Sequence, residues 1–168
     1  MTNGNSSLKA NSLEAWMMCC RPKTWAIALS PVLVGLAIAF FDRHTLDWTV
    51  ALATILLSVL MQAISNMEND AAYTRRNAER TNRKGLPRAT SLGLLSVSRV
   101  EKAIVFLGFI VALDTLYLMI SGGWVIIFIS VASIVAAYLY MGGPKPLAFT
   151  PISEVVCFVF FGITAVCG

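Results

Sequence analysis

Between two apolar runs, the stretch from Asn66 to Lys102 gathers the residues best equipped for chemistry. Ser65-Asn66-Met67-Glu68-Asn69-Asp70 places amides and carboxylates where an apolar helix should be leaving a bilayer. A run containing Arg75, Arg76, Arg80, Arg83, Lys84 and Arg88 follows. Oxygen donors suit a hard cation such as magnesium, and guanidinium groups grip phosphate oxygens in pairs. Together they are suited to a metal-bound diphosphate whose tail lies in lipid, which points to a lipid-soluble phosphorylated substrate.

On a helix continuing out of the second apolar run, Gln62, Asn66, Asn69, Asp70 and Tyr73 follow i, i+3, i+4 spacing and share one face. In lipid such a stripe would be unsatisfied, so it must face the bundle interior or a wet cavity. Asp70 is the candidate magnesium ligand, with Asn66 and Asn69 as further oxygen donors. The same spacing also suits a helix end capped by amides and charges, and the residues alone leave both readings open. Glu68 falls on another face and is expected to be solvated. The basic run is open to two readings as well, a topology signal drawn to anionic headgroups or a clamp on diphosphate. Eight cations between Arg75 and Lys102 exceed what orientation requires.

The elements that must position these groups are membrane spans. With 57% hydrophobic residues, 13% charged and a mean hydropathy of +0.73, 168 residues hold too much apolar surface for one soluble core. Five windows read as spans, Trp25 to Phe41, Trp48 to Ser65, Ala103 to Ile120, Trp124 to Met141, and Ile152 to Gly168. Each is roughly 17 to 18 residues, about 26 Å of helix, at the short end of what crosses a bilayer. The fold class expected is an all-α, multi-pass transmembrane bundle, with residues 1–12 as a disordered cytoplasmic tail and 13–168 as the membrane domain. Of the 13 basic residues only Arg43 falls on the side opposite the rest, which places the N-terminus and the long loop in the cytoplasm. Trp16, Trp25, Trp48 and Trp124 fit an interfacial aromatic belt. The first span follows an extended polar tail and lacks a small-residue cleavage site, so it does not read as a signal peptide.

Punctuation agrees with this layout. Leu13 to Cys20 is expected to form a short interfacial helix, and Pro22 suits a first helical turn. Pro31 should kink the first span, and Asp47 could cap the second. Ser121-Gly122-Gly123 makes a hairpin, and Gly142-Gly143-Pro144-Lys145-Pro146 ends the fourth span. Asp114, in mid-span, is expected to find a partner such as a hydroxyl, and Glu154 to reach the cavity mouth. The four cysteines show no metal-binding spacing, and His44 sits alone in a short loop.

Several segments in order resemble a known family. Arg21-Pro22-Lys23-Thr24-Trp25, Ser30-Pro31-Val32-Leu33-Val34-Gly35, Ser65 to Asp70, Gly85-Leu86-Pro87-Arg88-Ala89-Thr90 and Gly142 to Leu147 are similar to motifs of the UbiA-superfamily aromatic prenyltransferases. Within it they are most similar to the branch that prenylates 1,4-dihydroxy-2-naphthoate in menaquinone biosynthesis. The resemblance covers nearly all the chain after residue 13. It implies a helical enzyme of a bacterial plasma membrane with a cavity capped on the cytoplasmic side. In such enzymes Mg2+ draws diphosphate from a polyprenyl diphosphate and the allylic cation attacks the aromatic acceptor. Carried over on this resemblance are Asn66, Asn69 and Asp70 at the first metal motif and Arg21 and Lys23 at the cavity mouth. Arg88 in the loop, and Tyr140 and Lys145 after the fourth span, come with them. Arg75, Arg76 and Arg80 join the expected diphosphate contacts. The bilayer is an expected partner, and nucleic acid is not.

Two departures stand out. Further aspartates of the first motif are replaced by Tyr73 and by Asn77 or Glu79, and Tyr73 cannot stand in for a carboxylate on magnesium. Members of the family run to roughly 300 residues with about nine spans, and this chain has five. Its apolar end favours truncation, so the isolated chain is expected to be inactive and a separately encoded C-terminal half is an expected partner. Open alternatives are a degenerate isoprenoid-binding membrane protein, a prenyltransferase for another aromatic acceptor, and a small transporter or scaffold.

Overall fold

The computed structural model describes residues 9–77, 87–141, 147, 150–164 and 166. Most of the expected disordered tail, the stretch with Arg80, Arg83 and Lys84, and the Gly142 to Pro146 segment with Lys145 lie outside the described residues. The described residues form helices and connecting turns, with no strand among them.

Helix α1 (Leu13–Cys20) starts where the Ser12 hydroxyl accepts the Ala15 N–H at 3.2 Å. Arg21 adopts the left-handed conformation (φ 51°), its N–H closing on Met17 O at 3.0 Å, and this ends the helix. Pro22 to Thr24 make one 3-10 turn into α2 (Trp25–Arg43), which contains Pro31. Helix α3 (Trp48–Arg75) is capped by Asp47, whose Oδ1 accepts the N–H groups of Thr49 and Val50 at 2.9 and 3.2 Å. Helix α4 (Val97–Gly122) begins at Val97 rather than Ala103, because Ser96 caps it through Arg99 N at 3.3 Å. Gly123, at φ 94°, turns the chain into α5 (Val125–Met141). In the fifth expected span α6 (Ile152–Cys157) passes without a gap into a π-helical stretch, Phe158–Thr164.

Among the described residues three helical stretches, Leu13–Arg43, Trp48–Arg75 and Val97–Gly122, are long and apolar enough to cross a membrane, and the apolar part of α5 is shorter. Only 11 to 17% of their most apolar windows is buried inside the protein. Phe41, Val105, Ile120 and Phe128 all point outward, a surface that needs lipid or further protein over it. The chain is therefore a multi-pass membrane helical bundle.

Helix α3 is the central element and packs chiefly on α4 and α2. The Tyr117 hydroxyl near the end of α4 donates to Thr49 Oγ1 at the start of α3 (2.7 Å), so the two run antiparallel. Ser58 Oγ donates across to Ala28 O of α2 at 3.0 Å. The best-buried cluster is Ala15, Cys19, Met67, Ala71, Ala89, Leu95 and Val100. It lies around the C-terminal half of α3, where the polar residues are, so the closest packing stiffens the polar end of the bundle rather than mid-span. In mid-span, Asp114 Oδ2 and Thr115 Oγ1 are buried without a hydrogen-bond partner among the described residues, so the hydroxyl expected for Asp114 is not found.

Candidate functional site

The site is a polar ridge on about the last four turns of α3. Gln62, Asn66 and Asp70 are buried and Asn69 and Tyr73 half-buried, the single face that their spacing predicts. Each rung of the ridge holds a different segment of chain.

The first rung fastens the junction of α1 and α2. Asn66 Nδ2 donates to Cys20 O and to Thr24 Oγ1, both at 2.9 Å, and Gln62 Nε2 reaches Thr24 Oγ1 at 3.4 Å. Cys20 O also accepts the Trp25 indole N–H at 3.1 Å, and Thr24 Oγ1 donates to Arg21 O at 2.9 Å. These bonds set the turn that carries Arg21 and Lys23. Lys23 is exposed and Arg21 half-buried, and both Arg21 and Asp70 lie within electrostatic range of Cys19.

The second rung is Asp70, whose side chain is fully buried. Its Oδ1 accepts the Thr90 N–H at 2.9 Å and the Thr90 hydroxyl, and its Oδ2 accepts the Ala89 N–H at 3.0 Å. Thr74 Oγ1 adds contacts to Thr90 Oγ1 and Ser91 Oγ at 2.7 and 2.9 Å. The segment so held is a compact turn, closed by Leu92 N to Arg88 O, Gly93 N to Thr90 O and Leu94 N to Ala89 O at 3.1, 3.0 and 2.9 Å. Gly93 supplies the positive φ of 71° that this turn requires. Asn11 N donates to Leu94 O at 2.9 Å, tying the start of the described chain to the same turn.

The third rung presents Arg88. Only 4% of Arg88 is exposed, yet it carries a permanent charge, so it must be compensated. The guanidinium lies 3.6 Å from the Tyr73 ring centroid and donates to Asn69 Oδ1 at 3.3 Å. Tyr140, at the end of α5, lies near Cys157 and within electrostatic range of Tyr73.

The remaining residues expected at the site sit elsewhere or have other partners. Arg75 pairs with Glu68 at 3.2 Å and with Glu101 at 3.5 Å, which ties α3 to α4. Glu68 is therefore ion-paired rather than merely solvated. Arg76 is exposed beyond the helix end, and Glu154 is exposed at the start of α6. Arg80 and Lys145 lie outside the described residues.

The donor set does not fit a magnesium cage. A carboxylate accepts about four hydrogen bonds, and Asp70 already takes three from protein donors while fully buried. No group of three His, Cys, Asp or Glu gathers to hold a metal among the described residues. What the arrangement does offer is two cationic segments, 21–23 and 88–91, fixed on one rigid ridge at the end of the apolar spans. Sequence reasoning identified the ridge but missed the groups it holds, Thr24, Thr90 and the Cys20 carbonyl. The available signal was a threonine one to two residues after a cation in both Lys23-Thr24 and Arg88-Ala89-Thr90.

Curated relatives are similar to this chain along most of its length. The 1,4-dihydroxy-2-naphthoate octaprenyltransferase of Escherichia coli (strain K12) is 28% identical over 163 residues, 92% of this chain and 52% of that protein. Its counterparts in Mycobacterium tuberculosis (strain ATCC 25618 / H37Rv) and Bacillus subtilis (strain 168) are 31% identical over 158 residues and 27% over 143. These alignments take in 94% and 84% of this chain against 53% and 45% of the relatives. The chain spans about half the length of the curated relatives it matches. No family model matches it, and no solved structure matches it significantly.

Proposed function

We propose that this chain, a partial homologue of the UbiA-type naphthoate octaprenyltransferases, forms the diphosphate-holding portion of a membrane prenyltransferase of menaquinone biosynthesis. The donor is a polyprenyl diphosphate and the acceptor 1,4-dihydroxy-2-naphthoate. The setting is a bacterial plasma membrane with the N-terminus cytoplasmic, as the charge bias favours. In the transfer the allylic C–O bond breaks and its electron pair leaves on diphosphate. A pair from the electron-rich ring then forms the new C–C bond, and that ring carbon expels its former substituent. The residues in hand serve the first half of this chemistry, in which charge develops on the departing diphosphate.

The observation that carries this reading is Arg88, a buried cation fixed by Asn69 and Tyr73 on the helix whose Asn66 also holds the turn that bears Arg21 and Lys23. Cations fixed in advance in a site of low polarity stabilise departing negative charge more strongly than solvated ones. The surrounding apolar helices keep water from a carbocation. No step of this reading runs through a metal, since the described donors do not fit one. The chain matches about half the length of its curated relatives, and the other half of such a protein would supply further wall around the site. Tyr73, where a carboxylate is expected, favours a second reading, an isoprenoid-binding membrane protein without turnover.

Binding of a radiolabelled polyprenyl diphosphate to the chain in nanodiscs tests the proposal. Arg88→Met should weaken binding about tenfold, the effect expected for one charge-assisted contact of roughly 1.5 kcal/mol. Arg75→Met, which removes an ion pair between helices, should change it little. Equal losses from both variants would refute the site. For turnover, the chain with magnesium, polyprenyl diphosphate and dihydroxynaphthoate should give no product by mass spectrometry alone. Product should appear on co-expression with the C-terminal half of a relative. If that co-expression yields binding and no product, the second reading is the correct one.

A further inference from the structure

The carboxylate of Asp70 points into protein, and its contacts say what it does. All three of its hydrogen bonds go to Ala89 and Thr90, two of them to backbone N–H groups. Thr90 Oγ1 also lies 3.0 Å from Asp70 O, so side chain and main chain of Asp70 grip the same residue. A carboxylate that accepts adjacent backbone N–H groups acts like a helix cap placed in trans. It satisfies donors that the tight turn 88–95 cannot satisfy internally. Arg88 immediately precedes these two donors and has little freedom apart from the turn they define.

We propose that Asp70 is a positioning residue: it clamps the 88–91 turn onto α3 and thereby holds the Arg88 guanidinium in place, and it does so without a metal. Its partner in this role is Thr90, whose N–H and hydroxyl both serve the carboxylate. Asn69, the adjacent residue on α3, contacts the guanidinium itself, so one step of helix divides the work between holding the turn and steering the cation. Ala71 and Ala89, both wholly buried, let the turn lie close enough to the helix for these bonds to form. The proposal rests on the diphosphate reading only for the purpose the clamp serves, and the geometry of the clamp stands apart from it.

Limited trypsin digestion of the full chain in detergent, followed by mass spectrometry of cleavage between Arg88 and Ala89, tests the clamp without any ligand. Wild type should resist cleavage there, equally in magnesium and in EDTA. Asp70→Ala should accelerate it at least tenfold. Thr90→Val, which removes only the hydroxyl donor and keeps the side-chain volume, should accelerate it severalfold. The double variant should be no faster than Asp70→Ala alone. Thr90→Val guards against failure of Asp70→Ala to fold, because it leaves no buried cavity. Resistance in both variants equal to that of wild type would overturn the clamp. So would protection in wild type that EDTA abolishes, the mark of a metal ligand. Inorganic pyrophosphate, titrated in parallel by calorimetry, tests the purpose. Affinity that falls with Asp70→Ala in step with the loss of protection supports a turn held for diphosphate. If wild type shows the protection pattern but binds no pyrophosphate, the diphosphate reading fails and the proteolysis result upholds the clamp.

Discussion

Asn66→Asp separates a strap from a metal ligand, because the two roles give the change opposite signs. As an oxygen donor to magnesium, a carboxylate at 66 should serve at least as well as the amide. As the strap seen here, Asn66 works through its Nδ2, which donates to Cys20 O and Thr24 Oγ1 at 2.9 Å each. Asn66→Ala deletes both bonds, and at about 1 kcal/mol apiece the loss would be about 2 kcal/mol. Cys20 O keeps its bond from the Trp25 indole and Thr24 Oγ1 keeps Gln62, so neither acceptor is orphaned and the cost should stay near that figure. Asn66→Asp costs more, because a buried acceptor now faces the Cys20 carbonyl where a donor stood. The extra penalty for the unsatisfied group brings the total to about 3 kcal/mol. For a chain of this size each kcal/mol moves the midpoint by about 3 °C, so Tm should fall by about 6 °C for Asn66→Ala and about 9 °C for Asn66→Asp. Thermal unfolding in detergent can be read from maleimide fluorescence at Cys19, which is fully buried, with the other three cysteines changed to alanine. A Tm for Asn66→Asp within about 1 °C of wild type would refute the strap, most decisively if that variant also bound magnesium more tightly.

Three further outcomes are expected. Gly35→Val should destabilise the chain by about 1–3 kcal/mol in the same assay, because even a Cβ at Gly35 would lie 2.8 Å from Val166 O and must push backbone away; an unchanged Tm would mean that α2 and Val166 do not meet there. Hydrogen bonds from Thr49 and Val50 hold the Asp47 carboxyl below its usual range, so its capping contribution is complete above the unfolded-state pKa and is lost as pH falls through the lower folded value. Protection of the Thr49 and Val50 amides, taken relative to the intrinsic exchange rate at each pH, should therefore fall on acidification through that window in wild type, whereas Asp47→Asn should flatten the dependence. With the N-terminus cytoplasmic, single cysteines at Ser91 and Ser121 should differ in accessibility to an impermeant reagent added outside, only Ser121→Cys being labelled, and labelling of both would reject the orientation.

How far the fold could be read from the chain differs element by element. The starts of α1 at Leu13 and of α3 behind the Asp47 cap were legible, because a helix start is a local event within three residues of sequence, whereas α4 was expected from Ala103 and the Ser96 cap carries it back to Val97. The polar face of α3 was legible for the same reason, since helical spacing alone puts Gln62, Asn66 and Asp70 on one side. The π-helical part of the fifth span was not. Ile152 to Gly168 has the hydropathy of a span, but hydropathy does not distinguish a regular helix from the α-to-π passage at Phe158.

The role of Asp70 escaped sequence reasoning for a deeper reason. Asn-Asp at a helix end, beside arginines, has the composition of a metal site whether its oxygens point outward to an ion or inward to backbone. The deciding partners are the N–H groups of Ala89 and Thr90, and a backbone donor carries no residue signature. Asp70 and Thr90 are joined across a connection rich in cations, and like charges on a loop repel one another, which opposes bringing its ends together. A carboxylate at the neck of that loop offsets the repulsion and also pins the turn. A carboxylate at position 70 therefore has a use in holding the 88–91 turn that does not depend on magnesium.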